Sequence, residues 1–114
     1  MANKIEVGEL IRIALNELDE LSITHRMYKK GCEPYESTQK VLSLLASEVA
    51  QNKDNINERV LRAMHDIGMS SYKDFENTEM ENLIQKITSI LYQEIPIYKT
   101  LKPLRGDFGK GEPV

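Results

Sequence analysis

The chain has 114 residues, of which 40% are apolar and 29% charged, and a formal net charge of −3. That size is one domain, able to bury roughly two thirds of its unfolded surface without staples, and the acidic balance weighs against a nucleic-acid backbone as partner. One cysteine, Cys32, excludes an internal disulfide, no apolar run approaches the ~20 residues of a membrane span, and Met1-Ala2-Asn3-Lys4-Ile5-Glu6 is too polar to open a signal peptide, so a cytoplasmic protein is expected.

With no tryptophan and two phenylalanines, the core must be aliphatic. A first helix is predicted from about Glu6 to Lys30, because Val7, Ile11, Ala14, Leu18, Leu21, His25 and Tyr28 recur at alternating four- and three-residue steps. Leu10 and Leu15 widen the stripe, Gly31 offers a left-handed stop, and Ser22 and Thr24 are places where so long a helix can break. After Glu33-Pro34 a second helix covers Pro34 to Asn52, with Val41, Leu42, Leu44, Leu45, Ala46 and Val49 as its apolar face. The third begins in the capping-box pattern Asn55-Ile56-Asn57-Glu58, turns Ile56, Val60, Leu61, Met64 and Ile67 inward, and is predicted to stop at Gly68. A short helical turn then spans Ser71 to Glu76, with Tyr72 and Phe75 expected to point in. The fourth opens on a second capping box, Thr78-Glu79-Met80-Glu81, and carries Leu83, Ile84, Ile87, Ile90 and Leu91 until Pro96 closes it.

No strand pattern persists, so the expected fold is all-α: four main helices and a short turn over residues 1–96, with an irregular segment, 97–114, belonging to the same domain. That last segment has three prolines with Pro96 included, three glycines, and the apolar residues Ile97, Tyr98, Leu101, Leu104 and Phe108. It is too broken for a helix and too apolar for a solvated tail. Ile97, Tyr98, Leu101 and Leu104 are expected to close the core, leaving 105–114 more exposed. Charge is also segregated. From Asp74 to Glu94 five acids face one base, Lys86, whereas from Pro96 on four bases face two acids.

Chemistry-bearing patterns are sparse. His25, Cys32 and His65 lack the spacing of a zinc site, and a structural, at least half-buried role is expected for His25 on its stripe. The glycines Gly106, Gly109 and Gly111 precede no helix and make no phosphate cradle. Arg59 and His65 resemble the Arg-x4–6-His motif of HEPN ribonucleases, which implies phosphodiester cleavage. Yet Val60 follows the arginine where that family has a polar residue, and six helical positions rotate about 240°, putting the two on different faces. Arg62 and His65 are the better neighbours. Ile67-Gly68-Met69-Ser70-Ser71-Tyr72-Lys73-Asp74-Phe75 is similar to helix–hairpin–helix nucleic-acid modules, but acids stand where basic residues belong.

No catalytic residue, cofactor site or metal site is therefore assigned, and function is expected to lie in binding. In its size and acidity the whole chain resembles the small immunity proteins of bacterial toxin–immunity pairs, including those of contact-dependent growth inhibition. The closing stretch adds to that likeness: Leu91-Tyr92-Gln93-Glu94-Ile95-Pro96, Tyr98, Leu101-Lys102-Pro103-Leu104 and Asp107-Phe108-Gly109-Lys110-Gly111. The resemblance implies neutralisation of a cognate toxin domain, such as a nuclease whose phosphate-binding surface is basic, with no direct contact to nucleic acid or membrane. Candidate partner-binding residues are Asp74, Glu76 and Glu79, then Asp19 and Glu20, with Tyr72 and Tyr98 as aromatic anchors.

Overall fold

The computed structural model describes residues 4–52 and 55–103. Four helices account for most of them: α1 (Lys4–Thr24), α2 (Tyr35–Asn52), α3 (Glu58–Asp74) and α4 (Glu79–Glu94), with 3-10 turns at Arg26–Tyr28 and Pro96–Thr100. No strand occurs among the described residues. α1 packs on α2 and α4, and α3 packs on the same two, so the helices form a closed ring with α1 and α3 on one diagonal. Successive helices are antiparallel. A Cβ built on Gly8, early in α1, would lie 3.8 Å from Val49, late in α2. The ends of α1 and α3 consequently meet at one end of the bundle.

The core is aliphatic as expected. Ile11, Leu18, Leu42, Leu45, Leu61, Met64, Met80, Ile84, Ile87 and Leu91 are fully buried, and Phe75 and Tyr98 are the large aromatics among them. Leu44, expected inside, lies at the edge and is partly exposed.

Two helix boundaries differ from the sequence reading. α1 ends at Thr24, whose hydroxyl donates to the Glu20 carbonyl, a back-bond of the kind that bends helices, and the last ladder bond is His25 N–H to the Leu21 carbonyl. The chain turns there, so His25 leaves the apolar stripe and is exposed, in contact with the Thr24 hydroxyl. Tyr28 still reaches the core through the 3-10 turn. Its ring stacks on Phe75 at 5.1 Å and its hydroxyl donates to the Asp74 carbonyl at 2.8 Å.

The second difference is Gly68, which does not stop α3. The helix runs through it to Asp74 and absorbs most of the expected separate turn. Glycine costs a helix interior about 1 kcal/mol relative to alanine, but its bare Cα lets α4 approach. A Cβ there would lie 3.1 Å from Thr88 Cγ2. The helix–turn–short-helix likeness to nucleic-acid modules disappears with that turn. Phe75 points in as expected, whereas Tyr72, on the continued helix, is 59% exposed.

The caps follow local chemistry. Asn57, rather than Asn55, caps α3 by accepting from the amides of Arg59 and Val60. The Asn57 amide is taken up by Glu48 of α2 at 2.9 Å, not by Glu58. Thr78 caps α4 as predicted, and Glu81 reaches back one residue further, to the Asn77 amide at 3.1 Å.

After Pro96 the chain folds back onto α3. Tyr98 is fully buried, Leu101 is half-buried and Ile97 is exposed. Leu104, Phe108 and the expected exposed end, 105–114, lie outside the described residues. The Tyr98 ring stacks on His65 with centroids 4.0 Å apart and meets Tyr92 edge-on at 4.9 Å. The Tyr98 carbonyl can only accept, so the 2.6 Å contact to His65 means that His65 Nε2 carries the proton. Arg62 Nε completes the clasp by donating to the Lys102 carbonyl at 2.9 Å.

Within that clasp the Tyr98 hydroxyl is buried with no hydrogen-bond partner among the described residues. Truncating a buried aromatic costs about 3–5 kcal/mol, and an unsatisfied buried hydroxyl costs about 1–3 kcal/mol. Tyr98→Ala, or removal of 97–114, should therefore lower the melting temperature by many degrees, while Tyr98→Phe should hold or raise it. A Tyr98→Phe variant that melts well below the parent would show that the hydroxyl is satisfied after all.

Candidate functional site

The antiparallel ring gathers at one end of the bundle residues that are far apart in the chain. The end of α1 brings Asp19 and Glu20, the end of α3 brings Asp74, and the α3–α4 connection brings Glu76 and Glu79. Tyr28 ties this end together by joining the chain after α1 to the last residues of α3. Glu20, Glu76 and Glu79 are exposed, and Asp74 is half-exposed. Arg26, Lys29, Lys30 and Lys73 share this end and are equally exposed, so its charge is mixed rather than uniformly acidic.

The seven predicted contact residues are not equivalent. Asp19 has a structural partner: Tyr35 donates its hydroxyl to Asp19 Oδ1 at 2.7 Å, and Lys30 lies 4.0 Å from the same oxygen. Glu79 accepts from the Asn82 side chain, a local contact that leaves it exposed. Tyr98 is the clear correction. Its ring is enclosed by His65 and Tyr92, so it serves the core and cannot be offered to a partner in this conformation. Tyr72 is offered, and it is held in place, because its hydroxyl donates to Gln85 Oε1 at 3.0 Å.

Sequence reasoning missed what surrounds Tyr72. A cleft of about 200 Å³ runs between α3 and α4. Gly68 and Thr88 form its floor at the point of closest approach, Met69 and Tyr72 one wall, Tyr92 the other, and His65 and Tyr98 one end. Gln85 organises it. Its Nε2 donates to the Gly68 carbonyl at 2.9 Å and to Ser71 Oγ at 2.8 Å, while Oε1 accepts from Tyr72. Met69 and Tyr92 are 62% and 41% exposed, so both walls present apolar or aromatic surface to solvent. The only advance signal was Gly68 itself, a glycine inside an otherwise regular helical stripe.

Arg62 and His65, the pair nearest to the ribonuclease motif, both hold the C-terminal clasp. Among the described residues no three His, Cys, Asp or Glu side chains come together as a metal site would require, and no helix is long and apolar enough to cross a membrane. No protein-family model, curated protein or solved structure matches the chain significantly.

Three tyrosines resist ionisation. The hydrogen bond to Asp19, followed by burial, pushes Tyr35 up to about 12. Burial raises Tyr98, with Tyr92 adding to it, and burial followed by the Asp74 charge raises Tyr28. Unfolded tyrosine ionises near 10, so between pH 10 and 12 the folded chain holds protons that the unfolded chain has released. The stabilisation is complete below pH 10 and is lost as pH rises through the folded values. Thermal melts followed by circular dichroism should fall steeply from pH 10 to 12, and Tyr35→Phe should lose less over that interval than the parent. Parallel curves for the two proteins would remove the Tyr35–Asp19 bond from the alkaline transition.

Proposed function

We propose that the protein is an immunity protein that neutralises a bacterial toxin domain with a basic working surface, such as a nuclease. The observation that carries the reading is the convergence of Glu20, Asp74, Glu76 and Glu79 at one end of the bundle, beside an exposed tyrosine held by Gln85. Nuclease surfaces expose lysine and arginine to grip phosphates. A rigid acidic end can cover such a surface, exclude nucleic acid and associate fast through long-range attraction. Exposed acids and one pre-positioned aromatic also match how binding energy concentrates in a few anchors surrounded by a polar rim.

Under this reading the toxin domain is encoded beside the immunity protein, and the two form a tight, salt-sensitive complex. Co-expression should protect cells from that toxin. Lysine substitutions at Asp74, Glu76 and Glu79 together should weaken binding by roughly a hundredfold or more and abolish protection, with the melting temperature near that of the parent. Undiminished protection by the folded triple variant would remove this end of the bundle from the interface. A neighbouring gene product that is not toxic would remove the immunity reading itself.

A further inference from the structure

We infer that the α3–α4 cleft is a seat for an arginine side chain of the partner. The inference deepens the proposed function and rests on it for the identity of the partner, though not for the chemistry of the cleft.

The cleft is small, about 200 Å³, its floor is set by the Gly68–Thr88 approach, and it is lined by the flexible thioether of Met69 and the rings of Tyr72 and Tyr92. A flat guanidinium stacks on tyrosine faces, and its three-carbon stem packs along apolar surface. Polarity points the same way. The cleft contains the hydrogen-bonded Tyr72 hydroxyl and Gln85 carboxamide oxygen, both acceptors with lone pairs to spare. A purely apolar side chain would bury those groups and return nothing, whereas guanidinium N–H groups can donate to them.

Charge complementarity separates a cation from a neutral ligand. Beyond the lining, Glu81 lies one turn before Gln85 on α4, its carboxylate accepting from the Asn77 amide, and Glu76 follows Tyr72 where the chain leaves α3. Lys73 is the opposing cation on α3 and is exposed to solvent, while Lys86, next to Gln85 on α4, lines a separate pocket with Leu10 and Ile90. The seat is also built before any ligand arrives. Gln85 is fixed by three hydrogen bonds and Tyr92 by the Tyr98 edge contact, so little ordering remains to be paid on binding.

The test uses the folded protein and three capped tripeptides, acetyl-Gly-Arg-Gly-amide, acetyl-Gly-Lys-Gly-amide and acetyl-Gly-Leu-Gly-amide, titrated while the Met69 methyl and Gln85 side-chain amide are followed by NMR. The arginine peptide should shift both signals saturably, the lysine peptide should bind roughly tenfold more weakly, and the leucine peptide should not saturate. Tyr72→Ala should abolish the arginine response, and Tyr72→Phe, which keeps the ring, should retain most of it. Leucine binding as tight as arginine binding, or no arginine response at all, would overturn the seat. Arginine binding without protection from a toxin would leave the cleft standing and defeat the immunity reading. Protection without arginine binding would do the reverse.

Discussion

The contact between Gly68 and Thr88 governs much of this molecule. A helix interior normally excludes glycine, yet here the missing side chain brings α3 and α4 close enough for Gln85 to reach across to the Gly68 carbonyl and Ser71. That reach fixes Tyr72 on the outside, and the same pairing of helices provides the surface on which His65, Tyr92 and Tyr98 stack. A larger residue at position 68 would have to push Thr88 aside, because interiors are packed too densely to absorb the volume. The cleft, the positioned tyrosine and the C-terminal clasp thus share one geometric origin.

The clasp shows how an irregular segment becomes part of a core. Pro96 ends α4 and starts a 3-10 turn, which swings Tyr98 back over α3. His65 then adds to the bond that the Tyr98 carbonyl already accepts from the Leu101 amide, and Arg62 donates to the Lys102 carbonyl. The basic character of the stretch after Pro96 suggests a recognition tail, but its described part is organised by one buried ring and two backbone carbonyls.

What could be read in advance was local. Thr78 and Pro96 bracket α4 because a cap and a proline act within one turn, and the aliphatic stripe of α1 named its buried residues correctly up to Leu21. Periodicity then misled at His25, since the apolar spacing continued while a threonine side chain diverted the backbone. Gly68 misled for the opposite reason: propensity marked a stop, and tertiary packing overrode it. Tyr72 and Tyr98 are the same residue type in segments of similar polarity, and only the return of the chain onto α3 decides which is buried. The acidic end depends on topology. Asp19 and Asp74 lie at the same end, on diagonal helices, only because the ring closes antiparallel.

That antiparallel closure also determines the kind of field the acidic end can exert. Two helices, α2 and α4, begin there and two, α1 and α3, end there, so their macrodipoles oppose one another and largely cancel. What remains is the charge of side chains alone. Such a field can be tuned residue by residue, is screened within about 8 Å at physiological ionic strength, and fades as carboxylates gain protons. The backbone of the bundle supplies rigidity at this end without supplying polarity.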